Sequence, residues 1–269
     1  MKFLWIGSPL AVALVWQGLA PSAQAANVQL RITVENLSPA NSVSLAPFRF
    51  GFGDGTFDAF NAGSAAFLLG QPDIASAPIV SIAEGGSGAT WLPGFQAAEP
   101  AANVDSLTGP AGPFLPGQSN SAVFTVDTSN RFFTFGTMVV PSNDHFLGND
   151  DPMEYEVFDA NGALRLTTIE QGVDEIWDAG SETENPANAA FLPGIGVNAQ
   201  RENENSVVQF NFTDLSAFNG LATAGGYNFD SSLLTATSPL LRVSFEVVPE
   251  PATALLAAFA TVGVLVRRR

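Results

Sequence analysis

A 269-residue chain without cysteine and with a net charge of −16 has no route to disulfide staples or thiol chemistry. Between residues 27 and 248 six arginines and no lysine face 25 of the 26 acids, a net −19. Such a surface repels nucleic acid and anionic lipid and favours cations and basic or neutral partners, so nucleic-acid binding is excluded.

The chain opens with Lys2, an apolar stretch from Phe3 to Val15, and Ala23-Gln24-Ala25 as a small-x-small cleavage step. This pattern predicts a secretory signal peptide over 1–25 and a mature chain beginning near Ala26. An uncleaved anchor is the alternative, and the short apolar run followed by Pro21 argues against it. Residues 27–247 then leave about 220 positions, the size of one all-β domain. Val28 to Glu35 and Leu241 to Val247 alternate apolar and polar residues, the period of half-buried strands. Ser121–Asp127, Phe132–Val140 and Ser206–Phe212 are further strand-like runs bounded by turn residues. Tyr155–Asp159 and Leu164–Thr168 flank Asn161-Gly162, which predicts a type I′ hairpin turn. Pro93 to Asn120, with Pro110, Pro113 and Pro116, reads as an irregular loop. Residues 63–84 stay open between short helices (Ala65–Leu69, Ile79–Glu84) and loop. No internal repeat is visible. About eight short strands of this kind predict an all-β, antiparallel β-sandwich.

The chain closes with Val248-Pro249-Glu250-Pro251, an apolar run from Ala252 to Val266, and Arg267 to Arg269. An apolar segment capped by arginines is a membrane-held tail with its basic end in the cytoplasm. Fifteen residues fall short of the roughly 20 that cross a bilayer, so flanking residues must share a short transmembrane helix. Pro-Glu-Pro, apolar helix and basic cluster together resemble the PEP-CTERM sorting signal over 248–269. That resemblance implies an exosortase as processing partner, removal of the tail, and delivery to the cell surface, outer membrane or extracellular matrix. An ordinary C-terminal anchor is the alternative, and it also places the body outside the cytoplasm.

Within the body, four segments resemble the spondin domain, in that family's order. Thr56 to Gly63 resembles its early phenylalanine-aspartate motif ending in glycine, and Ile82-Ala83-Glu84-Gly85-Gly86 its leucine-alanine-glutamate-x-glycine step. Met138 to Gly148 resembles the strand and loop reading Pro-Ser-x-Asp-x-Phe-Val-Gly, and Trp177-Asp178-Ala179-Gly180-Ser181-Glu182 the Tyr-Asp-Ala-Gly-Thr-Asp/Glu motif. The last two motifs are specific, the first two weak, and the segment after Phe191 matches poorly. The resemblance implies a C2-like sandwich with a calcium ion held by Asp144, Asp178 and Glu182. Glu182 stands where animal members carry Asp, which keeps the charge and alters the reach.

Elementary chemistry supports a metal independently. Twelve acids lie between Asp144 and Glu184 with only Arg165 against them. A solvated acidic face is the ordinary meaning of such a run. Gathering three of these carboxylates at one point, however, is strongly repulsive without a cation. Calcium takes six to eight oxygens in flexible geometry, which suits carboxylates on loops. Asp159-Ala160-Asn161-Gly162 looks like part of an EF-hand loop but lacks the glutamate at position twelve, and a turn explains it better. Catalysis finds little footing. His145, the only histidine, has no evident nucleophile beside it, and Gly85-Gly86-Ser87-Gly88-Ala89 misses the G-x-S-x-G elbow. One histidine without cysteine cannot build the usual zinc ligand sets. Three functions follow: a calcium-binding adhesion or matrix protein that contacts extracellular polysaccharide or a surface protein, a structural exopolysaccharide component without a metal, and a carbohydrate-active enzyme using paired carboxylates. The first is expected.

Material recovered from the cell surface should lack both residues 1–25 and the segment after about Pro251. Intact-mass measurement checks this, and Arg267 to Arg269 still attached would mean an ordinary anchor.

Overall fold

The alternating run near the start becomes β1 (Asn27–Asn36), and the one near the end becomes β12 (Pro239–Val248). In this computed structural model, which describes residues 26–66, 77–110, 112–194 and 202–249, the two strands pair antiparallel along eight positions, from Gln29 opposite Val248 to Asn36 opposite Leu241. Leu30, Ile32 and Val34 point inward from β1, and Leu241, Val243 and Phe245 from β12. The signal peptide expected over 1–25 and the apolar tail expected after Pro251 lie outside the described residues. Among those described, no helix is long and apolar enough to cross a membrane.

β1 and β12 form the centre of a four-stranded sheet, flanked by β5 (Ser119–Asp127) and β9 (Thr168–Gly172). The second sheet is larger. Its path runs through β11 (Gln209–Phe210), β10 (Trp177–Asp178), β7 (His145–Gly148), β6 (Phe132–Val140), β3 (Phe48–Gly53) and β4 (Asn103–Leu107). Two short strands, β2 (Ser44–Leu45) and β8 (Tyr155–Glu156), also pair with β6. Every pairing between these strands is antiparallel. The expected all-β sandwich is present.

Strand period explains how the larger sheet buries both its faces. Phe48, Phe50 and Phe52 alternate along β3 toward the four-stranded sheet, where they meet Phe133 and Phe135 of β6, Phe124 of β5 and Phe245 of β12. The opposite face of β3 carries Gly51 and Gly53. A Cβ on Gly51 would come within 2.5 Å of the Phe95 ring, so glycine lets a helix lie directly on the sheet. That helix is α2 (Trp91–Ala98), beside α1 (Pro78–Ala83). Trp91 and Phe95, one helical turn apart, are both buried against the glycine face and Phe57.

The structure corrects the reading of 93–120 as irregular loop, since most of α2, all of β4 and the start of β5 fall within it. Pro93 and Gly94 look like breakers in the sequence. Pro93 sits in the first turn of α2, where its missing N–H has no intrahelical partner to lose. The Asn161-Gly162 turn also differs from expectation. Gly162 has φ +75° while Asn161 does not enter the positive region, and Gly162 N donates to Asp159 O while Asp159 N donates to Ala163 O. That is a type I turn closed by a glycine bulge, with Asp159 Oδ1 accepting from the amides of Asn161 and Ala163. The strand expected over 206–212 shrinks to the two residues of β11.

A buried acid ties the helical layer to the sheet. Glu99, just past α2, accepts backbone N–H bonds from Asp54 (2.5 Å), Thr56 (2.8 Å) and Phe57 (2.6 Å). Charge-assisted bonds of this kind are worth about 1.5–3 kcal/mol each. Glu99→Ala should therefore lower stability by at least about 2 kcal/mol in denaturant titration, and Gly51→Val, which overpacks the Phe95 contact, by about 1–3 kcal/mol.

Candidate functional site

Three strands and two loops bring the acidic residues to one end of the larger sheet. β6 ends at Val140, and Pro141-Ser142-Asn143-Asp144 turns the chain into β7. Ser142 fixes that turn by donating from its hydroxyl to Val139 O (2.5 Å) and accepting from His145 N (3.2 Å). β10 pairs with β7 so that Asp178 lies opposite His145 and Trp177 opposite Phe146. Beyond Asp178 the chain reverses through Gly180 (φ +61°), whose Cβ position would lie 2.8–2.9 Å from Ser206 and Val207. Glycine is thus required there both by conformation and by contact. The segment 202–206 runs back along 180–183 through Ser206 N to Gly180 O (2.8 Å) and Thr183 N to Glu202 O (3.0 Å), which carries Glu204 over the strand ends.

Asp144 is the centre of this arrangement. It is fully buried, and its Oδ2 accepts from Ser181 N (2.8 Å), Glu182 N (3.0 Å) and Ser181 Oγ (3.1 Å). Its Oδ1 has no hydrogen-bond partner. The Ser181 hydroxyl also lies 2.8 Å from Oε1 of buried Glu84. Asp178 Oδ1 accepts from Gly180 N (2.7 Å) and Oδ2 from Asn211 Nδ2 (3.0 Å), leaving lone pairs on both oxygens. One oxygen each from Asp144, Asp178 and Glu204 lies within 4.8 Å of the others. A second set, sharing Asp144, adds His145 and Glu184 within the same limit.

Of the three ligands implied by the resemblance, Asp144 and Asp178 come together, and the carboxylate of Glu182 falls outside both sets. Its Oε1 accepts from the side-chain amides of Asn143 (2.9 Å) and Asn188, so it braces the loops around Asp144. Glu204, His145, Glu184 and Glu84 were not selected by sequence reasoning. Glu204 lies in the segment after Phe191, where the family pattern fades, and only the antiparallel run against 180–183 brings it in. His145 carried a signal in its adjacency to Asp144.

The electrostatics follow from crowding under burial. Burial first, and then the Asp178 charge, push the Asp144 carboxyl up to about 8, against the pull of His145 and the Glu182 amide. Burial alone lowers His145, but its contact with Glu184 and the charges of Glu184, Asp144 and Asp178 outweigh that and hold it up to about 9. Nδ1 lies 2.9 Å from Glu184 Oε1, an ion-pair distance. Glu184 and Glu204 are both raised, first by burial and then, against His145 in the case of Glu184, by Asp178 and Asp214. The ion pairs that Arg31, Arg131, Arg165 and Arg242 make among the described residues all lie elsewhere. No protein-family profile and no curated protein matches this sequence.

Two folded-state values above the unfolded ones have a common sign. Between about pH 4 and 8 folded Asp144 holds a proton that the unfolded chain lacks, and between about pH 6.5 and 9 His145 does the same. Metal-free protein should lose thermal stability steadily from pH 5 to 9. A divalent ion at the cluster displaces those protons and should flatten the slope, which paired melting curves with chelator and with metal would check.

Proposed function

We propose that the protein is exported and held at the cell surface, where it binds calcium and contacts extracellular polysaccharide or a surface protein as an adhesion or matrix component. The proximity of the Asp144, Asp178 and Glu204 carboxylates carries the calcium reading. Three oxygens spaced evenly around one calcium at 2.3–2.6 Å lie about 4.0–4.5 Å apart, so a set whose members all lie within 4.8 Å of one another needs little further closing to hold one ion. Asp144 Oδ1 is buried and unpartnered, a cost that a bound cation removes. Water and backbone carbonyls complete a shell of six to eight, and Glu182 acts by holding Asn143 and Asn188 rather than as a ligand. Glu84 and Ser181 then support Asp144 from behind, as outer-shell groups do at metal sites.

Export rests on the leader-like 1–25 and the PEP-CTERM-like 248–269, with exosortase processing as the route to the surface. The spondin resemblance supports adhesion as the role. A net −19 over the body gives calcium a second use, since screening part of that charge eases contact with acidic polysaccharide. Phe210, stacked on Trp177 at 3.7 Å and more than half exposed, lies one residue from the Asn211 that holds Asp178, so a ligand near the ion also meets an aromatic face.

Calcium at a hundred times its dissociation constant stabilises the fold by about 2.7 kcal/mol, a rise of about 5–11 °C in thermal midpoint for a domain of this size. Asp178→Asn and Glu204→Gln should each abolish most of that rise, while Asp159→Asn at the exposed turn should leave it unchanged. A full calcium response in Asp178→Asn would contradict the assignment. A flat response in the wild type would leave the structural, metal-free component as the better reading.

A further inference from the structure

Beyond the calcium position, we infer that Asp144, His145 and Glu184 form a second cation position, one suited to a borderline transition ion of the Zn²⁺ class. The donor set decides the class. Calcium and magnesium take oxygen ligands almost exclusively, whereas an imidazole with two carboxylates suits zinc, cobalt or nickel. The geometry fits as well. His145 Nδ1 lies 2.9 Å from Glu184 Oε1 and 3.9 Å from Asp144 Oδ1. Neighbouring ligands on an ion with bonds of about 2.1 Å are about 3.0–3.4 Å apart, so the Glu184 oxygen already sits at that spacing from Nδ1 and the Asp144 oxygen must close by about 0.5–0.9 Å.

A second observation points to a ligand. His145 and Asp144 are fully buried, yet Asp144 Oδ1 and His145 Nε2 have no hydrogen-bond partner, and His145 Nδ1 and Glu184 Oε1 have only their ion-pair contact with each other. Buried polar atoms left in this state are uncommon in a folded interior, where such groups are nearly all satisfied. An imidazolium paired with Glu184 is the plain alternative. It would satisfy Nδ1 and one Glu184 oxygen, and would leave Asp144 Oδ1 and His145 Nε2 without a partner. Three protein ligands leave one or more positions for water or an outside group. The position shares Asp144 with the calcium set but does not require calcium there, because His145 and Glu184 belong to it alone.

The test uses untagged protein stripped with chelator, then titrated with Zn²⁺ by calorimetry and with Co²⁺ by visible absorption at neutral pH. Wild type should bind one Zn²⁺ that 10 mM-scale calcium, on the order of ten times a weak extracellular site's dissociation constant, does not displace, and Co²⁺ should show the absorption of a nitrogen-containing shell. His145→Asn and Glu184→Gln should each weaken Zn²⁺ by more than about tenfold and keep the calcium-dependent rise in thermal midpoint. Glu204→Gln should do the reverse. If His145→Asn does not fold, the partly exposed Glu184→Gln carries the comparison. No Zn²⁺ binding by the wild type, or affinity within about twofold in both the His145 and Glu184 variants, would overturn the inference. Zinc binding without any calcium response would sink the calcium reading alone.

Discussion

A carboxylate removed from water is tolerable only if its charge is met, and Asp144 meets this demand on one side only. Three donors from Ser181 and Glu182 converge on Oδ2, closing the loop after β10 onto the turn before β7. Oδ1, on the other side, has no hydrogen-bond partner and lies near the His145 imidazole and neighbouring carboxylates. The same residue therefore builds the loop and, crowded by burial and the Asp178 charge, keeps its proton up to about pH 8. That bond set ties the 181–182 segment to the turn before β7. Removing Asp144 takes away the loop's anchor together with a candidate ligand, so it is a poor probe of metal binding, and Asp178 and Glu204 are the better ones.

The rest of the fold acts as a rigid support for that end. β7 and β10 are short, but β6 passes through the middle of the larger sheet with its residues almost wholly buried. The phenylalanines of β3 and β6 pack it on one face, and the helices pack it on the other through Gly51 and Gly136. Interiors packed on both faces resist small displacements, so the turn at Asp144 is held from a stiff base. Glu99 extends the same logic: a buried acid satisfied by three amides fixes the 53–57 loop without any metal. The contrast between Glu99, fully partnered, and Asp144, half partnered, separates a structural acid from a candidate ligand.

Period-two alternation made β1 and β12 legible, since each is half-buried along its length. The motif around Asp144 and Asp178 was legible too, because its polar residues are local in sequence. What escaped was long-range or disguised. Pro93 and Gly94 hid α2, although Trp91 and Phe95 lie at helical spacing with one face to bury. The Asn161-Gly162 dipeptide fits two turn types, and Asp159, by accepting from two amides ahead of it, selects the bulged one. Asn143 and Asn188 hold Glu182, and the 202–206 return brings Glu204 beside Asp144 and Asp178. No sequence pattern within either segment records that arrangement.

Terbium luminescence tests the central claim most directly, because Tb³⁺ replaces calcium in oxygen sites and Trp177 precedes the candidate ligand Asp178 in β10. Excitation of tryptophan should produce Tb³⁺ emission that calcium reverses, that Trp177→Phe removes without loss of calcium binding, and that Asp178→Asn and Glu204→Gln abolish. Emission absent from the wild type, or undiminished in Asp178→Asn and Glu204→Gln, would contradict a calcium site built on these carboxylates.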